Sequence, residues 1–359
     1  MDQSMLSRLY IAGIGMVTPV GFDFASTVAA VEAGINRFQE SEYIGKSMKP
    51  FTMALIPGDV LPRISYKLNQ VEDSTLQMGI MLQASDIALN QIEPLKAMGG
   101  PLPLFLACPE SYPDQVSTVS PRFIEYLIKQ TDANIDASAS RMIGTGRAGV
   151  IDAIDLAFKY LQQVEGDFVL VGGADSYQEE ALLAYLDKDD RIAAEEILNG
   201  FIPGEAAGFL LLTRNRQNAM IWDGGVISLN QPGIEAEKGH MYSETPYLGD
   251  GLAAAIKKSL DDHRGEKIST VYSSMNGEQF WSKELGVALL RNKDSMNEDY
   301  TFEHPADCLG DIGAASGVAL IGLASAHLAR SGSPASHLVY CSSDQEYRGA
   351  ICVNYEKLS

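Results

Sequence analysis

The amino-acid sequence predicts an α/β protein with a mainly parallel sheet, covered by helices on both faces and built as two similar halves. Three observations predict it. Apolar runs of strand length alternate with longer segments of helical period. Such alternation places crossover helices on the faces of a sheet. The order helix, strand, loop, helix, strand then recurs in the second half of the 359-residue chain.

The elements follow in order. Residues 9–15 (LYIAGIG) read as a buried strand, with Gly13 and Gly15 forming a tight turn after it. A dinucleotide fingerprint would need a third glycine where Thr18 stands. Residues 22–34 and 75–92 carry apolar residues at helical spacing, residues 103–108 (PLFLAC) form a central strand, and residues 123–129 a short helix. Residues 148–164 form an amphipathic helix, followed by strands at 167–172 and 208–213. In the second half a helix at 251–260 precedes a strand at 268–273. A nearly all-apolar, hence buried, helix spans 317–329, and residues 337–341 and 350–355 close the chain as an antiparallel pair. Residues 175–199 read as acidic and irregular, and 215–247 show little period. The halves divide as 1–215 and 216–359, in one compact unit.

Composition narrows the function classes. The net charge of −20, from 47 acidic and 27 basic residues, lacks the basic footprint that nucleic acid or an anionic membrane requires. It fits either plain solubility or a basic partner surface. Cys108, Cys308, Cys341 and Cys352 are scattered, without zinc spacing, and read as buried free thiols in a reducing compartment. Residues 1–8 lack the features of a signal peptide, and no apolar stretch is long enough to span a membrane. The expectation is a cytoplasmic protein with no cofactor and no metal.

Several segments resemble the beta-ketoacyl synthases of fatty-acid and polyketide assembly. They are residues 10–21 (YIAGIGMVTPVG), 166–175 (GDFVLVGGAD), 201–212 (FIPGEAAGFLLL), 249–260 and 313–328 (GAASGVALIGLASAHL), in the family's order. The resemblance implies a thiolase-like fold of two duplicated halves with α-β-α-β-α layers and mixed sheets. It also locates the family's catalytic places, where a helix-start cysteine takes the acyl group and two histidines assist.

Those residues are replaced. Counting back from Gly172 and Gly173 puts the nucleophile at Arg147 in residues 143–150 (IGTGRAGV), where a small shift reaches Gly146 or Thr145, never a thiol. Thr145 reads as a helix N-cap. Asn276 stands at the first histidine, Gly310 or Asp311 at the second, and Pro305 at the family's lysine. The glycine-rich loop near the C-terminus reads SSDQEYRG at 342–349. His240, His263, His304, His327 and His337 match no catalytic place. Arg147 either plugs the old pocket, paired with Asp311, Asp307, Glu278 or Asp344, or faces water.

The expected function is therefore that of a non-catalytic, ketosynthase-like pseudoenzyme acting by protein binding. An adaptor or chaperone, including one associated with type VI secretion effectors, or an accessory subunit fits. The alternatives are a chain-length-factor-like subunit of a ketosynthase heterodimer, a residual acyl transferase, and a small-molecule or acyl-carrier binding module using the old tunnel. Partners are a second copy, a ketosynthase-like chain or an effector protein. Pairing would run through residues 103–108 or 167–172, which would otherwise leave an exposed edge.

Overall fold

The computed structural model describes residues 6–68, 75–113, 115, 117–261, 263 and 267–358. Most of the polar stretch 1–8 lies outside them. The first half runs β1 (Arg8–Val17), α1 (Phe24–Glu32), β2 (Phe38–Ile44), β3 (Pro50–Ala54), α2 (Leu76–Asn90) and α3 (Glu93–Ala97). It continues β4 (Leu104–Ala107), α4 (Phe123–Gln130), β5 (Arg141–Ile143), α5 (Gly149–Gln163), β6 (Phe168–Ser176), α6 (Glu180–Lys188) and β7 (Glu205–Thr213). The second half runs β8 (Gly225–Asn230), β9 (Gly233–Ala236), α7 (Asp250–Leu260), β10 (Ile268–Ser273), α8 (Gln279–Arg291) and β11 (Met296–Glu303). It closes with α9 (Ala306–Leu309), α10 (Ser316–Ser331), β12 (Ser336–Ser342) and β13 (Tyr347–Lys357).

Among the described residues the strands form one 11-stranded sheet, apart from the β2–β3 pair. Its order is β11-β10-β12-β13-β8-β1-β7-β6-β4-β5, with β9 beside β13. Each half has the same plan. With β2, β3 and β9 left out of the count, the order within each half from the middle outward is first, fifth, fourth, second, third: β1-β7-β6-β4-β5 and β8-β13-β12-β10-β11. The senses match too: antiparallel from first to fifth to fourth, parallel from fourth to second to third. The halves join at a seam where Arg8, Leu9 and Tyr10 pair with Asn230, Leu229 and Ser228.

Strand alternation sorts side chains into layers. On β6 and β7, Val169, Val171, Leu210 and Leu212 face a core that includes Ile151, Ile154, Val318 and Ile321 of α5 and α10. Leu170, Phe209 and Leu211 point the other way, toward α2 and α4. On β12 and β13, Val339, Ile351 and Val353 join the α5–α10 core, while Leu338 and Cys352 face α7 and α8. The result is the expected α-β-α-β-α layering, with α5 and α10 in the middle and α10 buried along most of its length.

Several expectations need correction. The sheet is mixed, as the resemblance implies, and not mainly parallel: its inner strands are antiparallel and only its outer parts are parallel. Residues 175–199 contain α6, whose Leu183 and Leu186 are buried. Residues 215–247 contain β8, buried throughout and too short to display a period, and β9. Gly13 and Gly15 make no turn; both lie within β1. Gly15 is there because α2 crosses it closely, and a Cβ would fall 2.0 Å from the Ala88 carbonyl oxygen. Residues 103–108 and 167–172 leave no edge, because β4 and β6 each have a neighbour on both sides. The sheet ends at β5 and β11 instead. All four cysteines are buried free thiols, and no helix among the described residues is long and apolar enough to cross a membrane.

Candidate functional site

The loops at the N-terminal ends of α5 and α10 meet at the middle of the molecule. A short 3-10 turn, residues 146–148, leads into α5 and carries Arg147. Its counterpart, residues 313–315, leads into α10 just after Gly310 and Asp311. Gly310 has φ +68° and ψ −171°, a conformation open to glycine, and this turns the chain so that Asp311 points inward.

Arg147 is 2% exposed. Its Nη1 donates to Asp311 Oδ2 at 2.5 Å, its Nη2 to Asp344 Oδ1, and its Nε to the Ser342 carbonyl at 2.8 Å. The guanidinium also lies over the Trp281 ring, 4.7 Å from the centroid. Of the two readings for this residue, the buried one holds.

The partners continue the chain of contacts. Asn276 Nδ2 donates to Asp311 Oδ2 at 2.8 Å and to Glu278 Oε2 at 3.0 Å. Glu278 takes a two-pronged contact from Arg191, both bonds 2.8 Å. Arg191 Nη1 reaches Asp344 Oδ2 at 2.6 Å. Asp344 returns to Arg147, so six side chains close a ring. The first half supplies both cations; the second supplies the carboxylates and the amide. Asp307, the remaining candidate partner, is exposed and takes no part, because it sits on the outer side of α9. Pro305 borders a void beside the ring.

Electrostatics follow from burial. Burial opposes the charge on Arg147, but Asp311 and Asp344 outweigh it and hold the guanidinium protonated. Burial likewise penalises Asp344, yet Arg147 and Arg191 hold its carboxyl well below the usual range. Glu110, which accepts from the Asp344 and Gln345 amides, is pushed up to about 7 by burial and by the Asp344 charge. Burial pushes the Cys108 thiol well up and the Cys341 thiol up to about 12, so both stay neutral.

Two features bear on what the site can do. The N–H of Ala148, at the start of α5, is bonded to the Ser343 hydroxyl at 3.0 Å. The Ala314 N–H at the start of α10 is bonded to Asp175 at 2.8 Å. Among the described residues, voids of about 20 and about 10 Å3 border the cluster, with room for about one water each. Among the described residues no group of three or more His, Cys, Asp or Glu is placed to hold a metal ion.

Thr145 does not cap a helix. Its hydroxyl bonds Asp152 Oδ2 at 2.8 Å, one turn into α5, instead of a backbone N–H. Burial raises Asp152 from 3.8 to about 6. An acid with a raised folded pKa binds protons more tightly folded than unfolded, so its contribution to stability falls as pH rises through that window. Wild type is therefore expected to lose stability relative to Asp152→Asn between pH about 4 and about 6, with a constant difference above. Chemical denaturation across that range checks it, and a pH-independent difference would refute it.

The sequence reading missed Arg191, Glu110 and Trp281. Nothing local marks them: Arg191 is one cation in an acidic stretch, and Trp281 is one aromatic residue on a helix. His337 is buried against His327 and Tyr272, and burial lowers it to about 3. His304 stacks on Phe302.

No family model matches the sequence, and no curated protein matches it. Solved structures do. A cysteine-to-serine mutant of the ketosynthase from module 6 of the bacillaene synthase of Bacillus subtilis 168 superposes with TM-score 0.76 at 16% identity, covering 98% of this chain and 72% of that one. The oxazolomycin ketosynthase domain KS7 of Streptomyces albus JA3453 gives 0.77 at 11%, covering 98% and 75%. A chain of the complex of a ketosynthase with its chain length factor from Xenorhabdus doucetiae gives 0.73 at 16%, covering 99% of this chain and 99% of that one. Strand order, layering and these superpositions agree: the chain has the thiolase-like fold of the ketosynthases.

Proposed function

We propose that this chain is a ketosynthase-like protein without acyl-transfer activity that works by binding another protein. The observation carrying this reading is the ring around Arg147. By resemblance Arg147, Asn276 and Gly310 or Asp311 occupy the catalytic places, and here Arg147 and Asn276 both donate to the buried Asp311 carboxylate. Condensation needs a thiolate, a base and free donors aimed at a developing oxyanion. In this site the Ala148 N–H is already spent on Ser343. Catalytic groups that act as a unit fail together.

An adaptor or chaperone role, including service to type VI secretion effectors, is the first form of the proposal, because it needs no acyl tunnel. A chain-length-factor-like subunit is the second. It is favoured by the likeness to a chain of the Xenorhabdus doucetiae complex, which extends over 99% of this chain and 99% of that one. The voids of about 20 and about 10 Å3 weigh against a tunnel at the ring of this chain. The cell compartment proposed is the cytoplasm.

Incubation with radiolabelled malonyl- and acyl-thioesters is expected to leave no covalent label. Stoichiometric label on any residue of 143–150 would overturn the reading in favour of a residual acyl transferase. Purification from the native host separates the two forms of the proposal. A ketosynthase and acyl carrier protein should accompany a chain-length-factor-like subunit, and a secreted effector an adaptor.

A further inference from the structure

Away from the ring, a cleft of about 1310 Å3 opens between β2, α2 and α6. Helix faces supply part of its lining. α2 gives Leu76, Ile80 and Gln83, and α6 gives Glu180, Leu183, Ala184, Asp187 and Lys188, both at intervals of three and four. Leu55, Ile56 and Leu61 add apolar surface.

β2 contributes differently. Every residue from 39 to 44 lines the cleft. A strand that offered a face would contribute alternate residues, so the cleft meets the edge of β2. That edge is open, because among the described residues β2 pairs only with β3. Its outward backbone groups follow from the pairing. Ala54 of β3 donates its N–H to the Pro203 carbonyl at 2.8 Å, away from β2. Phe38 lies opposite Ala54, so its own N–H and C=O point away from β3, and those of Glu40 do so two residues on. The register against β3 shifts between Glu40 and Ile44, which confines regular pairing to the first part of the strand.

The lining is acidic. Glu40 and Glu42 stand on the strand side and Glu180 on the helix side, all three exposed. No ion pair among the described residues engages any of them. Lys46, at one end, is held by Asp190 at 2.7 Å, and its backbone N–H by Asp187 at 2.6 Å. Among the described lining residues, Lys188 is the one cation left without an ion pair. Burial, and then the charges of Glu179, Glu180, Glu205 and Glu42, raise the Tyr43 hydroxyl above its ordinary value, so the field at this part of the lining is negative.

Charge selects the occupant. A second copy paired through the same edge would set Glu40 and Glu42 against their own counterparts. Residues 69–74, outside the described residues, read NQVEDS and bring two acids and no base. Carboxylates on an open edge repel acidic strands and attract basic ones.

We infer that this cleft takes an extended basic segment of a partner protein, which adds a strand to the free edge of β2. The added strand exchanges hydrogen bonds with the backbone of Phe38 and Glu40, lays apolar side chains toward Ile80 and Leu183, and sets lysine or arginine against Glu40, Glu42 and Glu180. This is recognition by strand addition. The inference rests on the protein-binding reading and names its surface and the chemistry of its partner.

The test uses the full-length protein and a fluorescent peptide of about 12 residues in which valine alternates with lysine. One control is a scramble of the same composition. The other keeps the sequence but carries N-methyl groups along its backbone, which removes the donors and leaves the charge. The patterned peptide should bind at least about tenfold more tightly than either. Glu40→Gln with Glu42→Gln should weaken it by at least about threefold. Ala184→Arg, which puts bulk and positive charge into the cleft, should abolish the preference. Both variants should keep the melting temperature of wild type. Amide exchange should show protection of residues 38–44 on binding. Equal binding of the patterned and N-methylated peptides would overturn the proposal, because charge alone would then account for it. So would unchanged binding in Glu40→Gln with Glu42→Gln, or protection confined to other parts of the chain. Binding that appears only when residues 69–74 are replaced by glycine and serine would make the chain's own segment the occupant, and would overturn it too. None of these outcomes touches the thioester result, so the docking site can fail while the non-catalytic reading stands.

Discussion

Arg147→Ala is expected to lower the stability of the folded chain by about 3–5 kcal/mol, the cost of leaving buried charge uncompensated. Two carboxylates lose a partner in this variant. Asp344 keeps Arg191, at 2.6 Å, but Asp311 keeps only the Asn276 amide and the Gly313 N–H. The contact with Trp281 goes as well. The sign of the pH dependence is fixed by the same groups. Asp344 has a depressed folded pKa, so its stabilising contribution is present above the unfolded value and lost as pH falls through the folded one. A carboxylate stripped of its guanidinium can escape by protonation, and the deficit of Arg147→Ala should therefore shrink toward acid pH. Denaturant titrations at neutral and acid pH measure both effects. A deficit below about 1 kcal/mol at neutral pH would mean that water or relaxation satisfies the acids, and the ring would not be a structural unit. Arg147→Cys should not take up an acyl group, because no histidine is paired with the new thiol.

The second large effect is expected at a neighbouring pair. Glu284 and Arg348 are both fully buried, with Arg348 Nε 2.5 Å from Glu284 Oε1. Arg348 Nη1 holds the turn before β13 through the carbonyls of Ser343, Gln345 and Tyr347. Its Nη2 has no hydrogen-bond partner. Glu284→Ala would leave that cation stranded between Trp281 and the sheet, and a loss of about 3–5 kcal/mol follows. The double variant Glu284→Leu with Arg348→Met removes both charges and should lose less than the two single changes added together. The expected coupling energy is about 1–3 kcal/mol. Strict additivity would show that the two side chains act separately.

How much of this was legible in the chain differs by element. β6, α5 and α10 could be read directly, since each is an apolar run or stripe with one reading by length. β8 could not: six residues (GVISLN) buried on both faces have neither alternation nor length to announce them. α8 was hidden because its pattern mixes a buried tryptophan and glutamate with an exposed leucine. The pairing senses of the inner strands depend on which strand returns beside which, and no local pattern encodes that. At the site, Arg147 and Asp311 were found through the resemblance, which supplies positions. Arg191 was not, because a cation drawn in from an acidic surface segment matches no motif. Thr145 was misread because an N-cap is judged from a spacing that a side-chain acceptor such as Asp152 can override.

The ring has one more consequence, in time instead of energy. Its members are far apart along the chain: Arg147 and Asp344 are separated by 197 residues, Arg191 and Asp344 by 153. A chain leaving the ribosome N-terminus first exposes both arginines long before their last counter-ion exists. Until Asp344 emerges, the two guanidiniums have to stay hydrated, and the interior around α5 has to stay open to water. The first half can collapse early onto its own apolar core, yet the centre of the molecule closes only once Asp344 has been made. Contacts this distant slow folding, so a delayed, late-closing phase is built into the order in which the residues are made.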